Sequence, residues 1–265
     1  MSVIKKGDQV KRRIENMKRG GFTLIELLVV IAIIALLMAI LMPTLAKSRK
    51  MTRAVMCAAQ EKQWGSFFLM YTDDFEGSFM GGRNIAGQNW WQVLEPYYKD
   101  RKLLCCPMAN NPKKQSKDGY GNYGTWGPDW FYGYYGSYAI NAWICNPVFK
   151  TGQTAMYGDN LKYWRSTNVK GQTDIPVLAD SWWDQAWAEA FDNIPPYPGW
   201  WDTGTGDDMA HFFVMRHDGF INMLYMDYTV RKVHLRELWS QKWNRLTDME
   251  DGPTEYDFPP WLQKL

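Results

Sequence analysis

The sequence predicts an α+β protein: one long N-terminal helix, then an antiparallel β-sheet domain with long aromatic-rich loops. Three observations carry this. From Phe22 to Met42 the chain is apolar with a single charged residue, Glu26, and about 20 such residues suffice for a helix to cross a bilayer. From Pro43 to about Tyr71 apolar residues recur near a three-four spacing, the period of an amphipathic helix. Beyond Gly136 the apolar residues fall instead into short β-rich runs, which read as strands. Four segments follow: a basic cytoplasmic leader at 1–21, a membrane helix at 22–42, its continuation at 43–73, and a β-rich globular domain at 74–265 outside the membrane.

The leader carries Lys5, Lys6, Lys11, Arg12, Arg13, Lys18 and Arg19. The positive-inside bias then keeps the N-terminus cytoplasmic and sends the residues after Met42 outward. Glu26 is a carboxylate in an otherwise apolar span, and an ionisable group there points to a partner within the membrane. Gly20 and Gly21 stand at the boundary between leader and helix. A secretory signal has its small residues after the apolar stretch; here they precede it, so a cut between Gly21 and Phe22 would leave the helix on the mature chain with a free amine on Phe22.

Past Pro43 the continuing helix carries Lys47, Arg49, Lys50 and Arg53, then Val55, Ala58, Ala59, Phe67, Met70 and Tyr71 as the face expected to lie on the domain. The run Tyr71 to Gly77 ends it with acidic residues and glycine. From Gly81 to Gly136 the composition predicts loops around short strands, with one short helix at Trp90 to Tyr98. Strands are expected at 136–144, 175–179, 212–215, 221–226 and 229–233, the last two joined by a tight turn at Asp227-Tyr228, and a short helix closes the domain at 236–243.

A formal net charge of +2, with much of the basic excess in the leader, gives no case for a nucleic-acid partner. The compositional outlier is aromatic: 15 Trp, 15 Tyr and 12 Phe. The four cysteines, Cys57, Cys105, Cys106 and Cys145, lie in the part expected outside, where disulfides persist. Four cysteines allow three pairings, and the adjacent Cys105 and Cys106 cannot easily bond to each other. Two bridges, or one bridge and two thiols, remain. His211 and His217 raise the question of zinc, but no Cys-x-x-Cys pair has metal-site spacing, so disulfides are favoured and neither metal nor cofactor is expected.

The run Gly21 to Ile34, Gly-Phe-Thr-Leu-Ile-Glu-Leu-Leu-Val-Val-Ile-Ala-Ile-Ile, with its basic leader, resembles the type IV prepilin-like family, which includes pilins and the pseudopilins of type II secretion. The resemblance implies that a prepilin peptidase cuts after Gly21 and methylates Phe22, and that Glu26 pairs with the amine of a neighbouring subunit during assembly. It also places Pro43 where the family often has a proline that loosens the helix. The distal half is similar to a subgroup of large prepilin-like proteins. It shares a Cys-containing Lys-Gln segment (Cys57 to Gln63), a Tyr-x-x-Asp-x-x-Gly turn (Tyr71 to Gly77), Cys106-Pro107, Ser137 to Asn141, and a late His, nine residues, Asp-Gly motif. Here that motif reads His217, nine residues, Asp227, with Tyr228 in place of glycine. This resemblance points to Cys57 bonding Cys106, leaving Cys105 and Cys145.

Other chemistry is weighed against plainer explanations. His211, His217 and Asp227 form the sharpest acid-base constellation, but a turn at His217 to Gly219, with the ring bonded to nearby backbone, accounts for it. Ser181 sits in no nucleophile-elbow setting. Asp180, Asp184, Asp202, Asp207 and Asp208 could hold calcium, as some secretion pseudopilins do, yet they lack the EF-hand spacing and read as solvated loop carboxylates. Trp182, Trp183, Trp200 and Trp201 are the first choice for a binding surface, although packing within the core is expected for most tryptophans.

The sequence thus points to a structural, non-enzymatic subunit. It is held in the inner membrane by one span and then assembled with itself and other pilin-like subunits into a pilus, pseudopilus or related filament serving secretion or surface interaction. The alternative is a tethered module that binds extracellular polysaccharide or a secreted protein without forming filaments.

Overall fold

The computed structural model describes residues 22–82, 89–109, 123–128, 131–147, 160–200, 207–247, 252–254 and 257–264. Its contacts divide the chain into two units, Met1–Arg49 and Lys50–Leu265. Helix α1, Leu24–Asp74, runs through both and contains Pro43. Proline removes one backbone donor; the next residue, Thr44, turns its hydroxyl onto the Leu41 carbonyl at 2.8 Å.

In the first unit every described residue is exposed, including Leu24, Ile25, Leu36 and Ile40. The helical stretch from Leu24 to Met42 spans about 28 Å at 1.5 Å per residue, close to the hydrocarbon thickness of a bilayer. Among the described residues, none covers this apolar surface.

In the second unit α1 buries Cys57, Glu61, Trp64, Gly65, Phe68, Tyr71 and Thr72. This face is rotated from the expected one: Val55 and Met70 are 70% and 49% exposed. A face chosen by counting apolar residues misses the true stripe because two of its members are Cys57 and Glu61. At Gly65 the helix lies close against the sheet, since a Cβ there would stand 2.9 Å from Leu224 Cδ1. After Asp74 the Gly77 amide bonds the Thr72 carbonyl at 2.7 Å, and Glu76 and Gly77 take positive φ, a Schellman-type helix end.

The sheet has five strands in the order β3-β1-β2-β4-β5. They are β1 (Tyr138–Asn141), β2 (Pro176–Asp180), β3 (Gln185–Ala186), β4 (Phe220–Tyr225) and β5 (Val230–His234). All neighbours are antiparallel except β1 and β3. Strands β1 and β2 are buried at every position, as central strands covered on both faces should be. The α+β expectation holds, and so does the hairpin: Tyr225 and Thr229 close a turn whose Asp227 accepts from the Thr229 amide at 2.9 Å.

Four expected elements differ. The helix expected at Trp90 to Tyr98 spans only Trp90–Val93, and the strand expected at 136–144 spans Tyr138–Asn141 and runs into a 3-10 turn at Ala142–Ile144. The run 212–215 is not a strand; Met209–Phe212 forms a helical turn, α3, and the apolar residues after it are buried as loop. The closing helix is a 3-10 turn at Leu235–Leu238. Short helices α2 (Trp90–Val93) and α4 (Pro260–Gln263) complete the domain.

The tryptophans explain how so loop-rich a domain holds together. Indole N–H groups donate to loop carbonyls: Trp64 to Leu103, Trp90 to Asp184, Trp126 to Tyr138, Trp143 to Ala188, Trp182 to Ala210 and Trp239 to Asp192, all at 2.7–3.0 Å. Each ring supplies apolar bulk while its indole N–H bonds a backbone carbonyl of another segment.

Candidate functional site

The N-terminus of α1 has defined local geometry. The Thr23 amide and hydroxyl both donate to Glu26 Oε2, at 2.8 and 2.9 Å, and the Glu26 amide returns a bond to Thr23 Oγ1 at 3.2 Å. This is a reciprocal capping box, which satisfies helix-end donors that have no intrahelical partner. Glu26 is therefore tied to its own helix cap in the single chain. Phe22 is exposed beside it; Gly21 and the leader lie outside the described residues.

A second cluster is buried where α1 meets the sheet. The α1 face contributes Cys57 and, one turn on, Glu61; the loop after the 3-10 turn Arg101–Leu104 contributes Cys106; the end of β2 contributes Asp180; and the loop before β4 contributes Arg216 and His217. One ligand atom from each of Cys57, Cys106, Asp180 and His217 lies within 4.8 Å of the others. His217 Nε2 is 3.1 Å from Asp180 Oδ2 and 3.5 Å from Cys106 Sγ, and Cys57 Sγ lies 3.5 Å from Asp180 Oδ1.

An outer layer fixes these groups. Asp180 accepts from the Asn222 amide at 3.1 Å, and Arg216 Nη1 stands 3.4 Å from Asp180 Oδ1 while donating to the Ser137 carbonyl at 2.8 Å. The Met108 amide points at Cys106 Sγ at 3.4 Å, and the Cys106 amide donates to Ser137 Oγ at 2.6 Å. Tyr138 Oη lies 3.3 Å from Cys57 Sγ. Glu61 is fully buried, and neither carboxyl oxygen has a hydrogen-bond partner.

The electrostatics follow from this geometry. Burial disfavours an Asp180 carboxylate, but the charge and hydrogen bond of His217, with Arg216, outweigh it and hold the group at about 2. Against the same burial, Asp180 lifts His217 to about 10. Burial, reinforced by Asp180 and Cys106, drives Glu61 well above the ordinary carboxylate range. Asp180 and His217 thus form an ion pair, and burial beside them disfavours the charged form of Glu61.

The structure separates several residues that the sequence grouped. His217 bonds side chains, not the nearby backbone expected of a simple turn. His211 lies 3.9 Å from Asp208 and packs on Trp182, and Asp227 serves the hairpin, so no His211–His217–Asp227 constellation is formed by their contacts. Ser181 Oγ donates to the His211 carbonyl at 2.8 Å. Asp180 and Asp184 are fully buried, contrary to the solvated-loop reading. Asp208 accepts from the Trp187 amide and Asp207 from Asn193; Asp202 lies outside the described residues.

All four cysteines are free thiols, where one or two bridges were expected. Cys57 and Cys106 do meet in the cluster, while Cys105 Sγ faces the Tyr135 carbonyl and Cys145 packs against Gly82. Of the tryptophans chosen for a surface, Trp182 is 1% exposed, Trp183 packs on the core against Phe131, and Trp200 is half-buried beside Tyr197. Trp201 lies outside the described residues.

An exposed apolar helix of bilayer length, preceding a folded domain with its own core, is long and apolar enough to cross a membrane and suggests anchoring by a single span. Residues 16–42 match the family model of the prokaryotic N-terminal methylation motif. The match covers this N-terminal segment alone; with the long apolar helix it supports a type IV prepilin-like protein, and the motif implies processing by a prepilin peptidase and assembly with other pilin subunits. No curated protein and no solved structure matches the chain.

Proposed function

We propose that this chain is a filament subunit, cut after Gly21, methylated at Phe22, and assembled through α1 into a pilus, pseudopilus or related fibre. The observation that carries the reading is Glu26, the one carboxylate in the exposed apolar span Leu24 to Met42 of α1, placed in the first turn next to the new N-terminus. After cleavage the Phe22 amine becomes a cation. In a bundle of packed helices, the amine of one subunit and Glu26 of another neutralise each other where an unpaired charge would be strongly unfavourable. The apolar stripe that lipid covers in the single subunit is then covered by neighbouring helices. The domain at 74–265 faces outward and contributes the partner surface, for secretion or for contact with other surfaces.

The capping box supplies a sharp test, because Glu26 has a local role as well. Glu26→Ala removes both cap and charge; Glu26→Gln keeps an acceptor for Thr23 and removes only the charge. Both variants should be cleaved normally and should yield far fewer crosslinked oligomers in native membranes. Wild-type oligomer levels in Glu26→Gln would mean that the helix cap, not the charge pair, is what matters. Undiminished oligomers in Glu26→Ala would remove the assembly role altogether. The tethered binding module draws less support, since Trp182 is core and Trp183 packs against it.

A further inference from the structure

The cluster around Cys57 is unexplained by membrane anchoring or filament assembly. It sits inside the domain and collects two thiols, an imidazole and two carboxyl groups in a place closed to water. The carboxyls and the imidazole are hydrophilic, and burying them is costly unless each finds a partner. Asp180 and His217 find one another. Glu61 finds none: it is fully enclosed, and both oxygens lack a hydrogen-bond partner.

We propose that Cys57, Cys106, Asp180 and His217 form a structural zinc site that fastens α1 to the sheet. The donor set fits the metal: two sulfurs, one imidazole nitrogen and one carboxylate oxygen are all established zinc ligands, and closed four-coordinate sites are the structural kind. Thiolate donors disfavour magnesium and calcium, which take oxygen. The four ligand atoms already lie within 4.8 Å of one another, so small side-chain adjustments bring them around one ion. The ligands come from four separate segments, and no two are neighbours in sequence. An ion there therefore cross-links α1, the Cys106 loop, β2 and the segment leading into β4.

The surrounding bonds fit the same role. The Met108 amide supports the Cys106 sulfur, and the Asn222 amide and Arg216 hold Asp180, in the manner of groups that orient metal ligands. Charge also balances. Zinc with two thiolates and the Asp180 carboxylate carries one net negative charge, which Arg216 offsets. Binding displaces the protons of both thiols and of the imidazolium. Glu61, one turn from Cys57 on α1, borders the site and adds a further carboxyl for the cation to attract.

The test uses the full-length chain in detergent, purified with reductant and without chelator, then exposed to zinc and desalted. Metal analysis should find about one zinc per chain, and X-ray absorption should find two sulfur neighbours at about 2.3 Å. Cys106→Ser and Asp180→Asn should each weaken zinc retention by about tenfold or more, while Cys105→Ser, outside the cluster, should retain it fully. Because a ligand variant could fail to fold, cobalt is added to the unaltered protein as a second readout. Thiolate-to-cobalt charge transfer with tetrahedral ligand-field bands supports the site. A wild-type chain that keeps no zinc, or keeps it without sulfur neighbours, overturns the proposal. So does a Cys57–Cys106 disulfide in protein isolated from native membranes without reductant.

Discussion

The Tyr228 hydroxyl meets Thr72 Oγ1 at 2.9 Å and so joins the β4–β5 turn to the last turn of α1. Tyr228 has φ +62°, a left-handed conformation that favours glycine, and its carbonyl accepts from Lys62 at 2.6 Å. The ring gives this position a function that glycine could not supply: it docks the hairpin on the helix. Tyr228→Phe and Thr72→Val should each cost about 1 kcal/mol, the usual net worth of one such bond. The double variant should cost less than the sum of the two, because both remove the shared bond, while Thr72→Val alone also loses the bonds of its hydroxyl to the Phe68 and Leu69 carbonyls. Denaturant unfolding of the four proteins in detergent measures this; full additivity would mean the bond contributes nothing.

Gly136 faces the Trp126 ring so closely that a Cβ would stand 2.2 Å from Cζ2 and 2.8 Å from the Leu104 carbonyl. Neither neighbour can yield easily, since Trp126 stacks on Trp91 and its indole N–H holds the Tyr138 carbonyl. Gly136→Ala should therefore destabilise the domain by about 1–3 kcal/mol, the range for overpacking. Its melting temperature should fall, and the near-ultraviolet dichroism of the tryptophans should change.

Asp192 makes domain stability depend on pH. Burial, with Asp208 and Asp207 adding to it, pushes its carboxyl up to about 7 despite bonds from the Met209 and Glu189 amides. A folded-state value above the unfolded one means that the native state holds the proton more tightly. Its contribution is then fully present below about 4 and lost as pH rises toward 7, by up to about 4 kcal/mol. Asp192→Asn should flatten the pH dependence of unfolding in this window. A variant with the wild-type slope would show that another group is responsible.

The long helix, its apolar first half and the terminal hairpin could be read from local patterns, because period and turn chemistry are carried by neighbouring residues. The buried face of α1 could not. Cys57 and Glu61 sit on it for the sake of partners far along the chain, and an apolar count leaves them out. The cluster was hidden for the same reason: Cys57 meets Asp180 across 123 positions and Cys106 meets His217 across 111. The signals were a late histidine without a local partner and a cysteine on a helix face. Strand β3, two residues long, and the helical turn Met209–Phe212 depend on packing that composition does not show.

The central claim is that Phe22 begins the mature chain and that α1 is an assembly helix, and the mass of the N-terminal peptide from native membranes tests it most directly. The account predicts a peptide that starts at Phe22 and carries one added methyl. A peptide that still contains Gly21 and the basic leader would contradict it and leave α1 as an unprocessed anchor.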